Sequence, residues 1–444
     1  MSRYDSVFKA YDIRGLVPEQ LDAEMCARIG AAFARFSGSD RVLVARDMRP
    51  SGVELASAFA EGVMSQGADV VDLGMTSTDL IYYAAGILDA PGAMFTASHN
   101  PAQYNGIKLC LAGARPVGED SGLLDVKSLA EQGVAPAGRT GTRSERNLLP
   151  EFAAHVRSFV DQSVLRPLHV VADTANGMGG LVVPLVFESL PFQLEVLYGE
   201  LDGTFPNHPA DPIQPENLRD LVARVRETGA DVGLAFDGDA DRVFLVDDQG
   251  VPVSGSTTTA IVAKAMLARE PGATILYNCI CSKAVREVIV ENGGQPVRTR
   301  VGHSFIKKVM AETRAAFGGE HSAHYYFRDN YRADSGSIAA LVVLEQLCRA
   351  GVPLSELRKP FERYAASGEI NTRVDDPRAV IERVASAYAG HDQDRLDGLT
   401  VDLGDWWFNL RPSNTEPLLR LNLEAQSPAD VELHVAEVQA AMRE

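Results

Sequence analysis

Cysteine is scarce in this chain: Cys26, Cys110, Cys279, Cys281 and Cys348 are five among 444 residues. So few, and odd in number, they exclude a disulfide framework and suit a reducing compartment. Cys279 and Cys281 form a C-x-C pair with no second cluster, which argues against structural zinc. Net positive charge is also lacking, since 42 Lys and Arg face 60 Asp and Glu for a formal charge of −18. That excludes a broad basic face for nucleic acid or an anionic membrane, but leaves the charge of one cleft open. Long apolar runs are missing too. The run 338–344 stops at Glu345, far short of the ~18 residues a membrane span needs. The polar opening 1–15 lacks the apolar core of a secretion signal. A cytoplasmic protein is expected, without nucleic-acid or membrane partners.

Apolar residues, by contrast, reach an ordinary 45%, enough for a large core without staples. At about 150 residues per domain the length suggests roughly three domains. Residues 131–147 are polar and aperiodic and read as a linker. A second break falls at 365–373, where Ser367-Gly368 interrupts a helical pattern. Asp248-Gln249-Gly250 is a weaker candidate boundary.

A threefold repeat crosses the first three segments. Apolar strands at 42–46, 169–172 and 274–277 each open a unit. A helix-like stretch and a second strand follow, near 67–71, 229–232 and 294–297. Each unit then reaches an unusual loop at 96–101, 237–242 or 319–324. Alternating strands and helices imply β-α-β units whose carboxyl-end loops bind ligands. The tail differs: two strands flank residues 411–417, and a helix starts with Ser427 as N-cap and Pro428 in its first turn. Val431, Val435, Val438 and Met442 share one face of that helix. The fold class is therefore α/β: three similar mixed domains around a central cleft, plus a smaller C-terminal α+β domain. The expected divisions are 1–143, 144–250, 251–366 and 367–444.

Four loops carry chemistry. Thr96-Ala97-Ser98-His99-Asn100-Pro101, with Lys108 shortly after, is either a polar turn or a serine able to carry a phosphoryl group. The G-x-S-x-G elbow of a serine hydrolase is absent. Asp237-Gly238-Asp239-Ala240-Asp241-Arg242 packs three carboxylates into five residues, which repel unless a cation neutralises them. Hard oxygen ligands favour Mg²⁺. An EF-hand would need glycine where Arg242 stands, and an aspartate-nucleophile phosphatase would need Thr or Val where Asp241 stands. Gly319-Glu320-His321-Ser322-Ala323-His324 offers an acceptor, a hydroxyl and imidazoles suited to sugar hydroxyls, or a surface turn. Arg411-Pro412-Ser413-Asn414-Thr415 is either an anion cradle or a hairpin turn. Gly177-Met178-Gly179 fails as a dinucleotide loop because Val182 replaces the third glycine. Trp406-Trp407 reads as packing, and prolines 206, 209, 212 and 215 as an extended connection.

In order along the chain, these segments and the opening Phe8-Lys9-Ala10-Tyr11-Asp12-Ile13-Arg14-Gly15 resemble the α-D-phosphohexomutases. The likeness is strongest to the bacterial phosphomannomutase/phosphoglucomutase branch. It implies that Ser98 is phosphorylated in the resting enzyme, and that Asp237, Asp239 and Asp241 hold Mg²⁺ with an oxygen on Ser98. It further implies that Lys108 and His324 move protons with support from Arg14, and that Lys9 and Tyr11 belong to the site. Glu320 and Ser322 would bind sugar hydroxyls, while Arg411, Ser413, Asn414 and Thr415 would hold the non-transferred phosphate. Arg242, Lys283 and His303 would be further contacts. His321 and Ala323 stand where many relatives have Met and Gly, which puts a titratable ring beside the sugar loop.

The implied reaction interconverts mannose 6-phosphate and mannose 1-phosphate, with glucose phosphates as a second substrate pair, through a hexose 1,6-bisphosphate. The partner is a small sugar phosphate, and the chain is expected to be a monomer or homodimer. The alternatives are a phosphoglucosamine mutase, a Mg²⁺-dependent sugar phosphatase and a non-catalytic sugar-phosphate sensor. Glu320 with Ser322, and Asp202-Gly203-Thr204-Phe205-Pro206-Asn207-His208, favour the phosphomannomutase branch.

Overall fold

A computed structural model describes residues 2–412 and 418–443. By internal contacts the chain forms two compact units, Met1–Ser254 with Ser322–Leu357, and Gly255–His321 with Arg358–Glu444. Among the described residues no single helix is long and apolar enough to cross a membrane.

The first unit holds two sheets. In one, Gly92–Phe95, Arg41–Arg46 and Asp69–Met75 run parallel in that order, with Tyr104–Leu111 and Ile13–Leu16 antiparallel outside. In the other, Val232–Phe236, His169–Asp173 and Gln193–Leu197 are parallel in that order, with Val243–Asp247 antiparallel outside. The second unit repeats the scheme with Phe317–Gly319, Thr274–Asn278 and Gln295–Thr299. Each opening strand is thus central in its trio, and each unusual loop leaves the carboxyl end of a neighbour. The repeat is structural.

Packing aims those loops. Every residue of Val232–Phe236 is buried, so the segment reads as a continuous apolar run, as buried parallel strands do. Each buried Val, Leu or Phe there stabilises the fold by about 1.5–3 kcal/mol. The helix Ala23–Ser37 starts at Asp22, whose carboxylate accepts from Met25 N–H at 2.8 Å. Its Phe33 meets Phe59 of the helix Gly52–Ser65 at 6.2 Å between ring centroids. Phe59 in turn meets Phe95 at 5.5 Å, one residue before the 96–101 loop.

Three sequence expectations need correction. Residues 131–147 are not only a linker, because Arg143–Glu145 adds a parallel strand beside Asp69–Met75. All three of its residues are exposed, so main-chain pairing at a sheet edge leaves no apolar signature. The break at 365–373 is the strand Ala365–Arg373, with a bulge after Ala366 and Gly368 at φ 67°. In the second repeat Gln193–Leu197 comes second, and the strand foreseen near 229–232 is the third, Val232–Phe236. The tail is α+β: Ala365–Arg373, Leu418–Ala425, Trp407–Pro412, Leu399–Asp402 and Asp392–Asp394 form an antiparallel sheet in that order. Phe408, Leu410, Leu421 and Leu423 of the sheet share one core with Val384 and Val438 of the helices Pro377–Ala387 and Pro428–Ala441.

Candidate active site

The 96–101 and 237–242 loops leave Gly92–Phe95 and Val232–Phe236, and the first unit brings them together. Ser98 is 5% exposed, and its hydroxyl donates to Asp237 Oδ2 at 2.7 Å. Its backbone is held at φ 49°, a region costly for any residue but glycine. The Ser98 N–H donates to Thr96 Oγ1 at 2.9 Å. Gly238 packs so closely on Ser98 that a Cβ there would stand 2.5 Å from the Ser98 carbonyl oxygen.

Asp237, Asp239 and Asp241 are buried, and one carboxylate oxygen from each lies within 4.8 Å of the others. Two cations face them. Lys108 Nζ sits 2.8 Å from Asp239 Oδ2 and 2.7 Å from Asp241 Oδ2. Arg242 donates from Nε to Asp237 Oδ2 at 2.9 Å. Three carboxylates against two cations leave one negative charge over if all ionise. Burial, reinforced by Asp241 and Asp239 and opposed by Arg242, accordingly holds the Asp237 carboxyl well above the usual range. Burial pushes Asp239 the same way, but Lys108 and Thr78 outweigh it and hold Asp239 below the ordinary value. For Lys108, burial disfavours the charge, while Asp239 and Asp241 prevail and keep the ammonium well above its usual pKa. Asp239 Oδ1 and Asp241 Oδ1 are buried with no hydrogen-bond partner. Buried acceptors of that kind cost free energy unless a ligand meets them.

A second ring of side chains surrounds the cluster. His99 Nδ1 lies 2.7 Å from Arg242 Nη2 and 3.3 Å from Ser98 Oγ. Burial, then Arg242 and Arg14, hold this imidazole well below its normal pKa, so Nδ1 accepts from Arg242 and Nε2 carries the hydrogen. Arg14 donates from Nη1 to Asn100 Oδ1 at 2.6 Å and pairs with Asp12. His324 bridges its backbone to Arg242, and its Nε2 is 3.9 Å from Asp241 Oδ1. Its Nδ1 meets Ser322 Oγ at 3.0 Å. Asp241, His324 and Asp334 also each bring one ligand atom within 4.8 Å of the others.

Other expected residues lie elsewhere. Lys9 is exposed, with Nζ on the Ser6 carbonyl at 2.7 Å, and is not drawn to the cluster. Tyr11 is half-buried beside Asp12. In the second unit, Glu320 Oε2 accepts from Asn278 Nδ2 at 3.0 Å and from Gly302 N–H at 3.1 Å. His321 is half-buried, and its ring Nδ1 lies 3.1 Å from Ser256 Oγ. Burial, together with Arg411 and against Glu369, lowers its pKa. Lys283 opens the helix Lys283–Glu291, and its Nζ is spent on Asp402 at 2.7 Å and the Gly404 carbonyl at 2.9 Å. His303 opens His303–Thr313. Arg411 is 7% exposed, donates from Nη2 to Glu369 at 2.9 Å, and leaves Nε buried without a partner. Ser413, Asn414 and Thr415 lie outside the described residues.

Sequence reading missed three groups that bear on the cluster. Thr78 donates to Asp239 Oδ2 at 2.5 Å from the first turn of Thr78–Ile87. Asp79, fully buried, accepts from Ser335 Oγ at 2.6 Å and from Ser77 Oγ. Arg49, also fully buried, reaches the Ser98 loop. The polar triplet Ser77-Thr78-Asp79 ahead of an apolar helix was the available signal for the first two.

Comparison with known proteins agrees along the chain. It matches the phosphoglucomutase/phosphomannomutase α/β/α domain I over residues 5–127, domain II over 150–250, domain III over 254–364, and the C-terminal domain over 369–441. A protein described as phosphohexose mutases from Xanthomonas campestris pv. campestris is 40% identical over 428 residues, 95% of each chain. A phosphomannomutase from Salmonella montevideo is 40% identical over 431 residues, 94% of each. The crystal structure of a phosphoglucomutase/phosphomannomutase family protein from Burkholderia thailandensis superposes with a TM-score of 0.90 at 33% identity, covering 100% of this chain and 97% of that one.

Proposed function

The chain belongs to the phosphoglucomutase/phosphomannomutase family, and we propose that it interconverts mannose 6-phosphate and mannose 1-phosphate, and the glucose phosphates as well, through a phosphorylated Ser98 and a hexose 1,6-bisphosphate. Members of the family are mutases. The observation that carries the reading is the Ser98 hydroxyl 2.7 Å from Asp237, at the edge of three buried carboxylates.

Those carboxylates fit Mg²⁺: the donors are all oxygen, and two of their oxygens are buried and unpartnered. Asp237, Asp239 and Asp241 would hold the ion together with an oxygen on Ser98. When bound, it neutralises charge on the transferring phosphoryl group. The chain's own groups do the rest. The bond from Ser98 Oγ to phosphorus breaks as a bond to the free sugar hydroxyl forms, and the hydroxyl proton leaves to His324. The bisphosphate turns over, its opposite phosphoryl group returns to Ser98, and the proton returns to the sugar oxygen. Lys108, 2.8 and 2.7 Å from Asp239 and Asp241, is the second group that moves protons. Arg14 and Arg242 add positive charge around Ser98, with Lys9 and Tyr11 contacting the sugar phosphate. Glu320 and Ser322 receive sugar hydroxyls, and Arg411 with Ser413, Asn414 and Thr415 receives the phosphate that stays. Lys283 and His303 are further contacts.

The deciding assay is kcat/KM for mannose 1-phosphate and glucose 1-phosphate with catalytic hexose 1,6-bisphosphate. It is run beside phosphate release, with intact mass of wild type and Ser98→Ala. Isomerisation of both sugars, and loss of one phosphate mass together with activity in the variant, are expected. A strong preference for glucosamine 6-phosphate, dominant phosphate release, or full activity in Ser98→Ala would overturn the reading.

A further inference from the structure

Arg49 has no exposed surface, and Asp239 of the cluster that carries the reaction acts on its charge, yet its guanidinium hydrogen bonds go to none of that cluster's carboxylates. It is spent on main chain instead. Nη2 donates to the carbonyls of Ser98 at 2.9 Å and Asn100 at 2.6 Å; Nη1 donates to those of Pro101 at 2.8 Å and Tyr104 at 2.9 Å. Nε pairs with Asp47 Oδ2 at 3.2 Å, and Asp47 Oδ1 accepts from the Arg49 N–H at 2.9 Å. One rigid fork therefore fixes three carbonyls of the loop whose Ser98 sits at a strained positive φ, and the Tyr104 carbonyl that opens the next strand.

The other side of Arg49 belongs to the second sheet's segment. The Phe205 ring lies under the guanidinium at 5.1 Å. Gly203 approaches so closely that a Cβ there would stand 2.6 Å from Arg49 Cα. Gly238 of the acidic loop meets the carbonyl of Ser98, the same oxygen that Arg49 Nη2 holds. Arg49 is thus clamped between the segment that precedes the carboxylates and the loop that carries the serine.

The geometry points to Arg49 as a positioning residue for phosphoryl transfer: through three loop carbonyls, that of Tyr104 and the Gly203–Phe205 contact, it sets the Ser98 oxygen in register with the three aspartates. The inference rests on Ser98 being the phosphate carrier. A displacement of about 1 Å between reacting groups costs on the order of 100-fold in rate, with little effect on groups that only bind sugar.

The test uses the full-length enzyme. Arg49→Lys keeps the charge opposite Asp47 but removes the fork. Gly203→Ala keeps the Arg49 side chain but pushes on its backbone from outside. Both are assayed well below their thermal midpoints for kcat, KM and Ser98 phosphate content by intact mass. Arg49→Ala is assayed with and without added methylguanidinium. Expected is a kcat about 100-fold lower in Arg49→Lys, a smaller kcat loss in Gly203→Ala, KM within a few-fold of wild type in both, and partial rescue of kcat by methylguanidinium. Should Arg49→Lys fail to fold, Gly203→Ala decides the matter. Wild-type kcat in folded Arg49→Lys or in Gly203→Ala, or KM rising in step with the loss of kcat, overturns the inference. If Ser98→Ala is itself active, the phosphoserine reading fails; if it is inactive while these variants turn over normally, only the role of Arg49 does.

Discussion

Replacing Lys108 by methionine removes one cation from the acidic cluster while keeping its length and apolar stem. The ammonium faces Asp239 and Asp241 at 2.8 and 2.7 Å, and its side chain is 10% exposed. At an effective dielectric near 20, each pair is worth about 6 kcal/mol before the cost of desolvating the ammonium. That cost cancels much of the gain, and stripping one partner from a buried ion pair typically costs about 3–5 kcal/mol. Spread over a unit of this size, such a loss lowers the thermal midpoint by roughly 5–10 °C.

The assay is calorimetry of wild type and Lys108→Met in EDTA, across pH, and again with added Mg²⁺. In the wild type Asp239 is held below its ordinary value of 3.8. Its stabilisation is therefore present above about pH 4 and is lost as pH falls through the lower folded value. The gap between the two proteins should narrow as pH falls, because Asp239 takes up a proton first in the variant, where burial acts without Lys108, and only at lower pH in the wild type. Mg²⁺ should raise the midpoint of the variant more than that of the wild type, because more uncompensated negative charge remains for it to meet. Equal midpoints in EDTA at neutral pH would refute the reasoning, as would a gap that widens on acidification.

Burial pushes Asp79 from 3.8 up to about 7, against hydrogen bonds from Ser335 and Ser77. A raised folded value means stability that is full below about pH 3.8 and lost as pH rises towards 7, at up to about 1.4 kcal/mol per pH unit. Asp79→Asn should flatten that slope in urea unfolding from pH 4 to 8. Gly238→Ala forces a Cβ to within 2.5 Å of the Ser98 carbonyl oxygen, where backbone cannot give way. It should cost about 1–3 kcal/mol of stability and prevent Ser98 from retaining phosphate by intact mass. Arg411→Lys keeps the charge but loses the buried Nε donor, so KM for the sugar phosphate should rise about tenfold for the loss of one charge-assisted hydrogen bond, as steady-state kinetics will show.

What sequence could reveal about the site followed from how each residue works. Asp237, Asp239 and Asp241 announce themselves because three like charges within five residues need an external reason. Lys108 follows closely on Ser98 along the chain, and the antiparallel return from Gly92–Phe95 to Tyr104–Leu111 brings it back to the same sheet end. Thr78 carried only the signal of a polar triplet ahead of an apolar helix, because its partner Asp239 is 161 residues away. Arg49 was invisible for a different reason: it acts on carbonyl oxygens, which every residue possesses, so no pattern of side chains records its target. Arg143–Glu145 escaped because an edge strand with both faces in water carries no alternation. Lys283, expected as a phosphate or sugar contact, has its ammonium held by Asp402 and the Gly404 carbonyl.

The count of charges at Ser98 explains why an acidic chain can serve an anionic substrate. One proton on Asp237 would leave two carboxylates to balance Lys108 and Arg242 and the cluster neutral, the direction in which burial pushes that carboxyl. A divalent cation that displaces this proton changes the sum from zero to plus one. A phosphate of charge near minus two on Ser98 then brings it to minus one, a charge that Arg14, held beside the loop through Asn100 and shared with Asp12, offsets in part. Each addition moves the buried cluster by no more than two charges, and the completed set stays within one charge of neutral. That matters because an isolated ion in low dielectric costs several kcal/mol even after relaxation. Removing any one cation breaks the sequence at a different step: without Lys108 the unloaded cluster is left negative, and without Arg14 the phosphorylated one is. The first loss should therefore appear as instability relieved by metal, and the second as failure to retain phosphate on Ser98 in a protein of nearly normal stability.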